Sequence, residues 1–394
     1  MSPGQAFFLL LHLENPPNDD QPFFTIMKKP ILALFIAFAI LTNVKADNNP
    51  ADRHKPGKSQ PKNVILLIGD GMGLSHMYAA YTVAKDNIRM VQCPNIALVT
   101  TFSDSNYITD SAAAGTAIAT GNKTTNGMIG MKPDKTPVKS VLKYAEDKGL
   151  ATGLVATSSI THATPASFIA NVESRKMLEE IARQFLETDI DVFIGGGYDN
   201  FTSRKDKLNL VDSLLVRDYT VVRSIPEMME VNDGKLAALL YPEHAPKISE
   251  GRGDMLSLAT SKAIELLSKN KKGFFLMVEG SQIDWGGHDN NLDYIISETL
   301  DFDKACAVAL DFAARDGETL VIITADHETG GLSIPGGDLK AGKPEGKFST
   351  GDHSAIPVPL YSDGPGSDQF HGFIDNTDIF RTMVNLLRLG GENE

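Results

Sequence analysis

The ten residues Glu279-Gly-Ser-Gln-Ile-Asp284-Trp-Gly-Gly-His288 set two carboxylates and an imidazole directly after the apolar run Phe274-Phe-Leu-Met-Val278. That run reads as a buried strand. Charged groups crowded past its carboxyl end do little for packing, but in open α/β sheets that rim is where ligands and metals bind. The Asp284-x-x-x-His288 spacing could place both side chains on one helix face. Gly286 and Gly287 would each cost such a helix about 1 kcal/mol. The segment is therefore expected to be a loop wrapped around an ion.

Three further apolar runs end in the same way. Val64–Ile68 leads into Gly69-Asp70-Gly71, and Leu320–Ile323 into Thr324-Ala325-Asp326-His327. Ala151–Val155 leads, after a short polar turn, into Thr161-His162-Ala163-Thr164. A single Asp or Thr in such a place is ordinarily the cap of the next helix. Four runs with the same polarity would bring all these groups to one edge of a parallel sheet, which points to a metal site.

A nucleophile is available to go with it. Thr109-Asp110-Ser111-Ala-Ala-Ala-Gly opens a helix of very small residues, with Asp110 placed as the N-cap and Ser111 as the first helical residue. Small side chains let an anion reach the free N–H groups and the positive dipole end. A serine there, beside a divalent cation, becomes an alkoxide-like nucleophile. Arg175, in Asn171-Val-Glu-Ser-Arg175-Lys, could bind two phosphate oxygens with its planar fork.

Positioning such groups requires a sheet. Strand-like runs alternate with helical ones over most of the chain, the pattern of an α/β fold with a largely parallel sheet. Further strands are expected at Ile96–Phe102, Asp191–Ile194 and Pro357–Tyr361. Helices are expected at Leu74–Lys85, Ser111–Thr120, Val138–Lys148, Leu178–Leu186, Met255–Leu267, Leu292–Ala314 and Asp375–Leu387. Segment 199–251 is more charged and less periodic and is expected to be a surface excursion from the sheet. Residues Asp338–Lys347 are expected to form an exposed loop.

Met27-Lys28-Lys29, the apolar stretch Ile31–Leu41 and Val44-Lys45-Ala46 match a signal peptide over 27–46 with a small-residue cleavage site. The stretch is short of the roughly 20 apolar residues a membrane span needs. Residues 1–26 lie upstream of it and read as a mis-assigned start. The mature chain is expected to begin near Asp47 and to be exported, with 47–394 as one catalytic domain. Removing 1–46 takes away three basic residues (Lys28, Lys29, Lys45) and three acidic ones (Glu14, Asp19, Asp20), so the formal charge stays at −13. Such an acidic chain offers no nucleic-acid-binding surface on electrostatic grounds. Cys306 lies within a helical pattern and reads as a buried thiol. Export leaves a disulfide with Cys93 open, and the sequence alone does not decide it.

Taken in order, Asp70-Gly-Met-Gly, Thr109-Asp-Ser111-Ala, Thr164-Pro, Ser174-Arg175, Glu279…Asp284…His288, Ala325-Asp-His327 and Thr350-Gly-Asp-His353-Ser resemble the alkaline phosphatases over roughly residues 60–390. The resemblance implies a large, mainly parallel central sheet flanked by helices on both faces. It implies two Zn2+ and one Mg2+ per chain, with the first zinc on Asp284, His288 and His353. The second zinc falls to Asp70, Asp326 and His327 beside Ser111, and the magnesium to Asp70, Thr164 and Glu279. Imidazole suits zinc, and a carboxylate and hydroxyl set suits magnesium. The implied reaction is hydrolysis of small phosphate monoesters through a phosphoserine. Ser111 is its nucleophile, Arg175 its phosphate clamp, and Asp110 orients Arg175. Relatives are commonly homodimers, and their bacterial members are periplasmic or secreted.

Two positions depart from the best-known bacterial pattern, which has aspartate where His162 stands and lysine where Trp285 stands. His162 could ligate a metal directly, or draw the third site from magnesium toward zinc. A phosphodiesterase of the same superfamily is the nearest alternative, although Arg175 favours a dianionic monoester. A sulfatase would need Cys/Ser-x-Pro-x-Arg, which Ser111-Ala-Ala-Ala-Gly lacks. A non-catalytic exported protein binding phosphate or zinc would have no use for Ser111. His54, His76, His244 and His371 have no assigned role.

Overall fold

The computed structural model describes residues 60–85 and 87–390. The signal-like segment 27–46 and the residues upstream of it lie outside the described residues. Fourteen strands run through the described chain: β1 (Asn63–Gly69), β2 (Asn95–Thr100), β3 (Ala151–Ser159), β4 (Val192–Gly196), β5 (Tyr219–Val222), β6 (Lys235–Tyr241), β7 (Phe274–Gly280), β8 (Thr319–Thr324), β9 (Glu328–Thr329), β10 (Ser333–Asp338), β11 (Lys343–Lys347), β12 (His353–Ser354), β13 (Val358–Asp363) and β14 (Gly372–Asp375). Ten of them form one sheet in the order β14-β2-β13-β8-β1-β7-β3-β4-β6-β5. Only β13 is antiparallel to its neighbours β2 and β8; the other pairs are parallel.

The four runs that end in charged groups are adjacent at the centre of this sheet. β1, β3, β7 and β8 are buried along their whole length, as parallel strands covered on both faces must be. The helices Met255–Leu267 and Leu292–Asp316 pack on each other and on β7, while Val141–Asp147 and Ala163–Ile169 also pack on β3 and β7. Ile68 is level with Glu279 on one side and Thr324 on the other, and Ala156 is level with Glu279. The residues that follow each strand therefore open onto one rim.

The Glu279–His288 segment corrects the expectation of a loop. β7 carries the chain through Gly280, and Gln282–His288 is a helix in spite of its two glycines. The glycines are there because the helix is packed too closely for side chains. A Cβ at Gly286 would lie 2.9 Å from Ile295 N, and one at Gly287 would lie 2.8 Å from Thr329 Cβ. Tertiary packing thus outweighs the propensity cost of about 1 kcal/mol per glycine.

Segment 199–251 is also more than an excursion, since β5 and β6 complete one edge of the main sheet. Its charged residues lie mostly in the helices and turns around these strands, while β5 and β6 themselves are largely apolar. Asp338–Lys347 is exposed as expected, but it pairs as the β10–β11 hairpin with a register shift between Ser333 and Gly336. Cys93 and Cys306 are both buried free thiols, so the disulfide left open by the sequence is not formed. Among the described residues no helix is long and apolar enough to cross a membrane.

A buried ion cluster pins the chain beyond β6 to the long helix Leu292–Asp316. Arg252 Nη2 donates to Glu298 and, at 2.9 Å, to Asp301, with all three side chains at most 3% exposed. Arg252 Nη1 also donates to Pro246 O at 3.1 Å, and Ile248 N to Glu298 Oε1 at 3.0 Å. Replacing Arg252 would leave two carboxylates buried without their cation. Arg252→Met is expected to lower the unfolding free energy by about 3–5 kcal/mol. Denaturant unfolding checks this, and a loss below about 1 kcal/mol would contradict the reading.

Candidate active site

Ser111 opens its helix as the sequence indicated. Asp110 is the N-cap, its Oδ1 accepting from Ala113 N at 3.0 Å, and every residue of Ser111–Thr120 is buried. The Asp110 carboxylate does more than cap. Oδ1 also accepts from Gly127 N at 3.0 Å, and Oδ2 accepts from Arg175 Nη1 at 3.1 Å. The guanidinium reaches His162 Nε2 from Nη2 at 3.3 Å. Arg175 is thereby held between the N-cap and the turn after β3.

Asp284, His288 and His353 form the first cluster. The helix at Gln282–His288 sets Asp284 and His288 on one face, with His288 Nε2 at 3.4 Å from Asp284 Oδ1. His353 Nε2 lies 3.5 Å from the same oxygen and 3.2 Å from His288 Nε2. Both rings turn Nδ1 to backbone carbonyls, His288 to Gly351 O at 2.9 Å and His353 to Thr109 O at 2.8 Å. A carbonyl only accepts, so Nδ1 carries a proton in each ring and Nε2 is the nitrogen left to face the cluster and to ligate a cation that displaces any second proton.

Asp70, Asp326 and His327 form the second cluster around Ser111. His327 Nε2 is 3.2 Å from Ser111 Oγ, 3.5 Å from Asp70 Oδ1 and 3.4 Å from Asp326 Oδ2. Ser111 Oγ is 3.5 Å from Asp70 Oδ1. Asp326 Oδ1 accepts from Gly71 N and from its neighbour His327 N, each at 3.0 Å, which aims Oδ2 away from the backbone. The His327 and His353 rings stack at 3.7 Å, so the two clusters are contiguous.

A third group brings one ligand atom each from Asp70, His162 and Glu279 within 4.8 Å of one another. Glu279 Oε2 accepts from Ser281 Oγ at 2.7 Å and Ser158 Oγ at 3.3 Å. Its Oε1 has no partner. The same is true of Asp70 Oδ2, Asp326 Oδ2, Thr164 Oγ1 and His162 Nδ1, all buried. Buried polar atoms are nearly always paired, and these orphans coincide with the residues singled out as metal ligands. Their chemistry fits divalent cations in all three groups.

The electrostatics agree. Burial, reinforced by Asp326, Asp284 and Glu279, holds the Asp70 carboxyl well above its ordinary range. Burial likewise pushes Glu279 up to about 7 and Asp326 up to about 6. His327 is held neutral, first by burial and then by the charge of His353. His288, hydrogen-bonded to Asp284, is raised to about 9. Carboxylates forced together in this way need added positive charge to ionise.

Every residue singled out in the sequence thus reaches this rim. Trp285 stands to one side, its ring edge-on to His162 at 6.3 Å. Sequence reasoning missed two neighbours. His244, from the segment read as an excursion, meets Trp285 at 4.9 Å and His162 at 5.8 Å, and its Nδ1 accepts from Ser159 N at 2.9 Å. No local pattern marked it. Thr329, whose hydroxyl donates to Asp284 Oδ1 and lies 3.2 Å from His327 Nδ1, was also missed. Its position two residues beyond His327 in an extended segment, hence on the same side, was a signal available in the sequence.

Comparison with known proteins gives these groups a context. The alkaline phosphatase family model matches residues 61–346. "Alkaline phosphatase 3" of Bacillus subtilis is 36% identical, the alignment covering 90% of this chain and 95% of that protein. The solved alkaline phosphatase of the Antarctic bacterium TAB5 is 44% identical, with a TM-score of 0.81 over 84% of this chain and 100% of that one. A variant of it with a histidine replaced by aspartate has magnesium bound in its M3 site; it is 43% identical, with a TM-score of 0.80 over 84% of this chain and 99% of that one. Together with the mostly parallel ten-stranded sheet, these matches show that the chain belongs to the alkaline phosphatase family, metal-dependent hydrolases of phosphate monoesters.

Proposed function

We propose that Ser111 is the nucleophile of this hydrolysis, and that the three groups at the rim hold two Zn2+ and one Mg2+. The observation that carries this reading is the placement of Ser111 Oγ at a helix N-terminus, 3.2 Å from His327 Nε2 and 3.5 Å from Asp70 Oδ1. Asp284, His288 and His353 would hold the first zinc, and Asp70, Asp326 and His327 the second. Asp70, Thr164 and Glu279 would hold the magnesium. Bound there, the ions would supply Lewis-acid stabilisation to the serine and leaving-group oxygens.

The chain's own residues do the rest. Ser111 Oγ forms a bond to phosphorus as the ester oxygen leaves, giving a phosphoserine. Water then cleaves that ester and releases orthophosphate. Arg175, kept in place by Asp110, takes two non-bridging oxygens, and the first N–H groups of the Ser111 helix face the same anion. This arrangement matches a dianionic monoester better than a diester.

His162 is the position that decides the third metal. Arg175 can only donate, so its contact puts the His162 proton on Nδ1 and leaves that nitrogen unable to ligate until the guanidinium turns to phosphate. With the guanidinium on phosphate, His162 adds a nitrogen beside the magnesium ligands, which raises the affinity of that site for zinc relative to a carboxylate at the same position.

The signal-like segment supports export, to the periplasm or the medium. A homodimer is supported by an uncovered sheet face at the β2–β14 edge, where Ile96, Leu98 and Phe373 are 54%, 38% and 65% exposed, with Leu98 level with Phe373. Sedimentation at micromolar concentration is expected to show a dimer that Phe373→Asp weakens; a monomeric unmodified protein would exclude it.

Ser111→Ala should reduce kcat on an aryl phosphate by about 10⁴-fold or more while zinc content is unchanged. Arg175→Ala should cost about 10–100-fold in kcat/KM, the worth of a charged hydrogen-bond pair. Steady-state kinetics with elemental analysis checks both. Ser111→Ala protein that turns over normally would exclude the serine mechanism.

A further inference from the structure

Thr329 touches both zinc-type clusters and the turn after Asp70, yet it is a proposed ligand in neither cluster. It is fully buried in β9, directly opposite His353 in the β9–β12 pair. Its N–H donates to Gly71 O at 3.2 Å, tying it to the turn that carries Asp70. Its hydroxyl donates to Asp284 Oδ1 and stands 3.2 Å from His327 Nδ1.

The proton count sets the direction of these bonds. A hydroxyl has one proton to give and lone pairs to receive. As a metal-binding carboxylate, Asp284 can only accept. The Thr329 proton therefore goes to Asp284, and its oxygen accepts from His327 Nδ1–H. That leaves His327 Nε2 with its lone pair directed at Ser111, Asp70 and Asp326. His288 and His353 have their tautomers set by backbone carbonyls, whereas His327 has its tautomer set by this one side chain.

The surrounding backbone leaves room for Thr329 and little else. A Cβ on Gly71, whose φ is +72°, would come within 2.7 Å of Thr329 Oγ1 and of Asp284 Cα. The Gly287 backbone presses on Thr329 from the other side, where a Cβ would meet Thr329 Cβ at 2.8 Å. The glycines after Asp70 and after Asp284 are thus the two walls of the Thr329 niche.

We propose that Thr329 is a positioning residue that links the two zinc-type clusters, orienting Asp284 in one and setting the tautomer of His327 in the other. The proposal rests on the metal assignment above. It predicts that removing the hydroxyl alone weakens zinc binding at both clusters, although Thr329 is a ligand in neither.

The test is zinc affinity by chelator competition on full-length protein, for the unmodified chain, Thr329→Val and Thr329→Ser. The valine variant fills the niche but has no hydroxyl, and it should bind zinc about 10–100-fold more weakly at both clusters, while the serine variant stays within about threefold. Valine and unmodified protein with equal affinities for two zincs would overturn the proposal. Unmodified protein binding no zinc would overturn the metal assignment with it. Should the valine variant fail to fold, the nitrogen-15 histidine spectrum of the unmodified zinc-loaded protein decides. The His327 proton is expected on Nδ1, and a proton on Nε2 would overturn the proposal.

Discussion

Three carboxylates buried together without a cation of the chain's own are the constraint on which the rest of this structure depends. Asp70, Glu279 and Asp326 are fully buried, and each keeps an oxygen that no group of the protein satisfies. Charges of one sign forced into a low-dielectric rim repel and resist ionisation. Arg175 acts on Asp70 from a distance, but the Asp110 carboxylate already engages it. Divalent cations would offset this cost, and on the proposed assignment the same cations activate Ser111 as nucleophile. The site is therefore a place where stability has been given up locally and regained on binding metal.

The sheet makes such crowding possible. Parallel order sends the ends of β8, β1, β7 and β3 to one rim, and their registers keep Thr324, Ile68, Glu279 and Ala156 level. The strands are apolar throughout, so their position is set by burial rather than by the charged groups they deliver. Supporting contacts then aim four of the proposed ligands: carbonyls of Gly351 and Thr109 for two imidazoles, serines for Glu279, and the Gly71 and His327 N–H groups for Asp326. Such supporting bonds do as much for a metal site as the ligands themselves.

How much of this was legible in the sequence depended on range. The apolar runs of β1, β7 and β8 and the Asp110–Ser111 helix start are local signals, and each was readable with its placement. The order of the strands was not, because β5 and β6 join the edge through partners far away in sequence. The Glu279–His288 helix was misread for a related reason. Its glycines look like helix breakers until the backbone of Ile295 and the side chain of Thr329 are seen against them. His244 was invisible because its neighbours in space, His162 and Trp285, are distant in the chain. Thr329 gains its place in the site only through Asp284 and His327 together, and Asp284 is distant in the chain.

The central claim is that the buried rim is built for cations and that the chemistry needs them. Elemental analysis of purified protein, with aryl phosphate hydrolysis measured before and after chelation, tests it most directly. Two zinc ions and a third divalent ion per chain, with turnover lost on chelation and restored by zinc and magnesium, is the predicted result. Full turnover by protein stripped of metal would contradict the account.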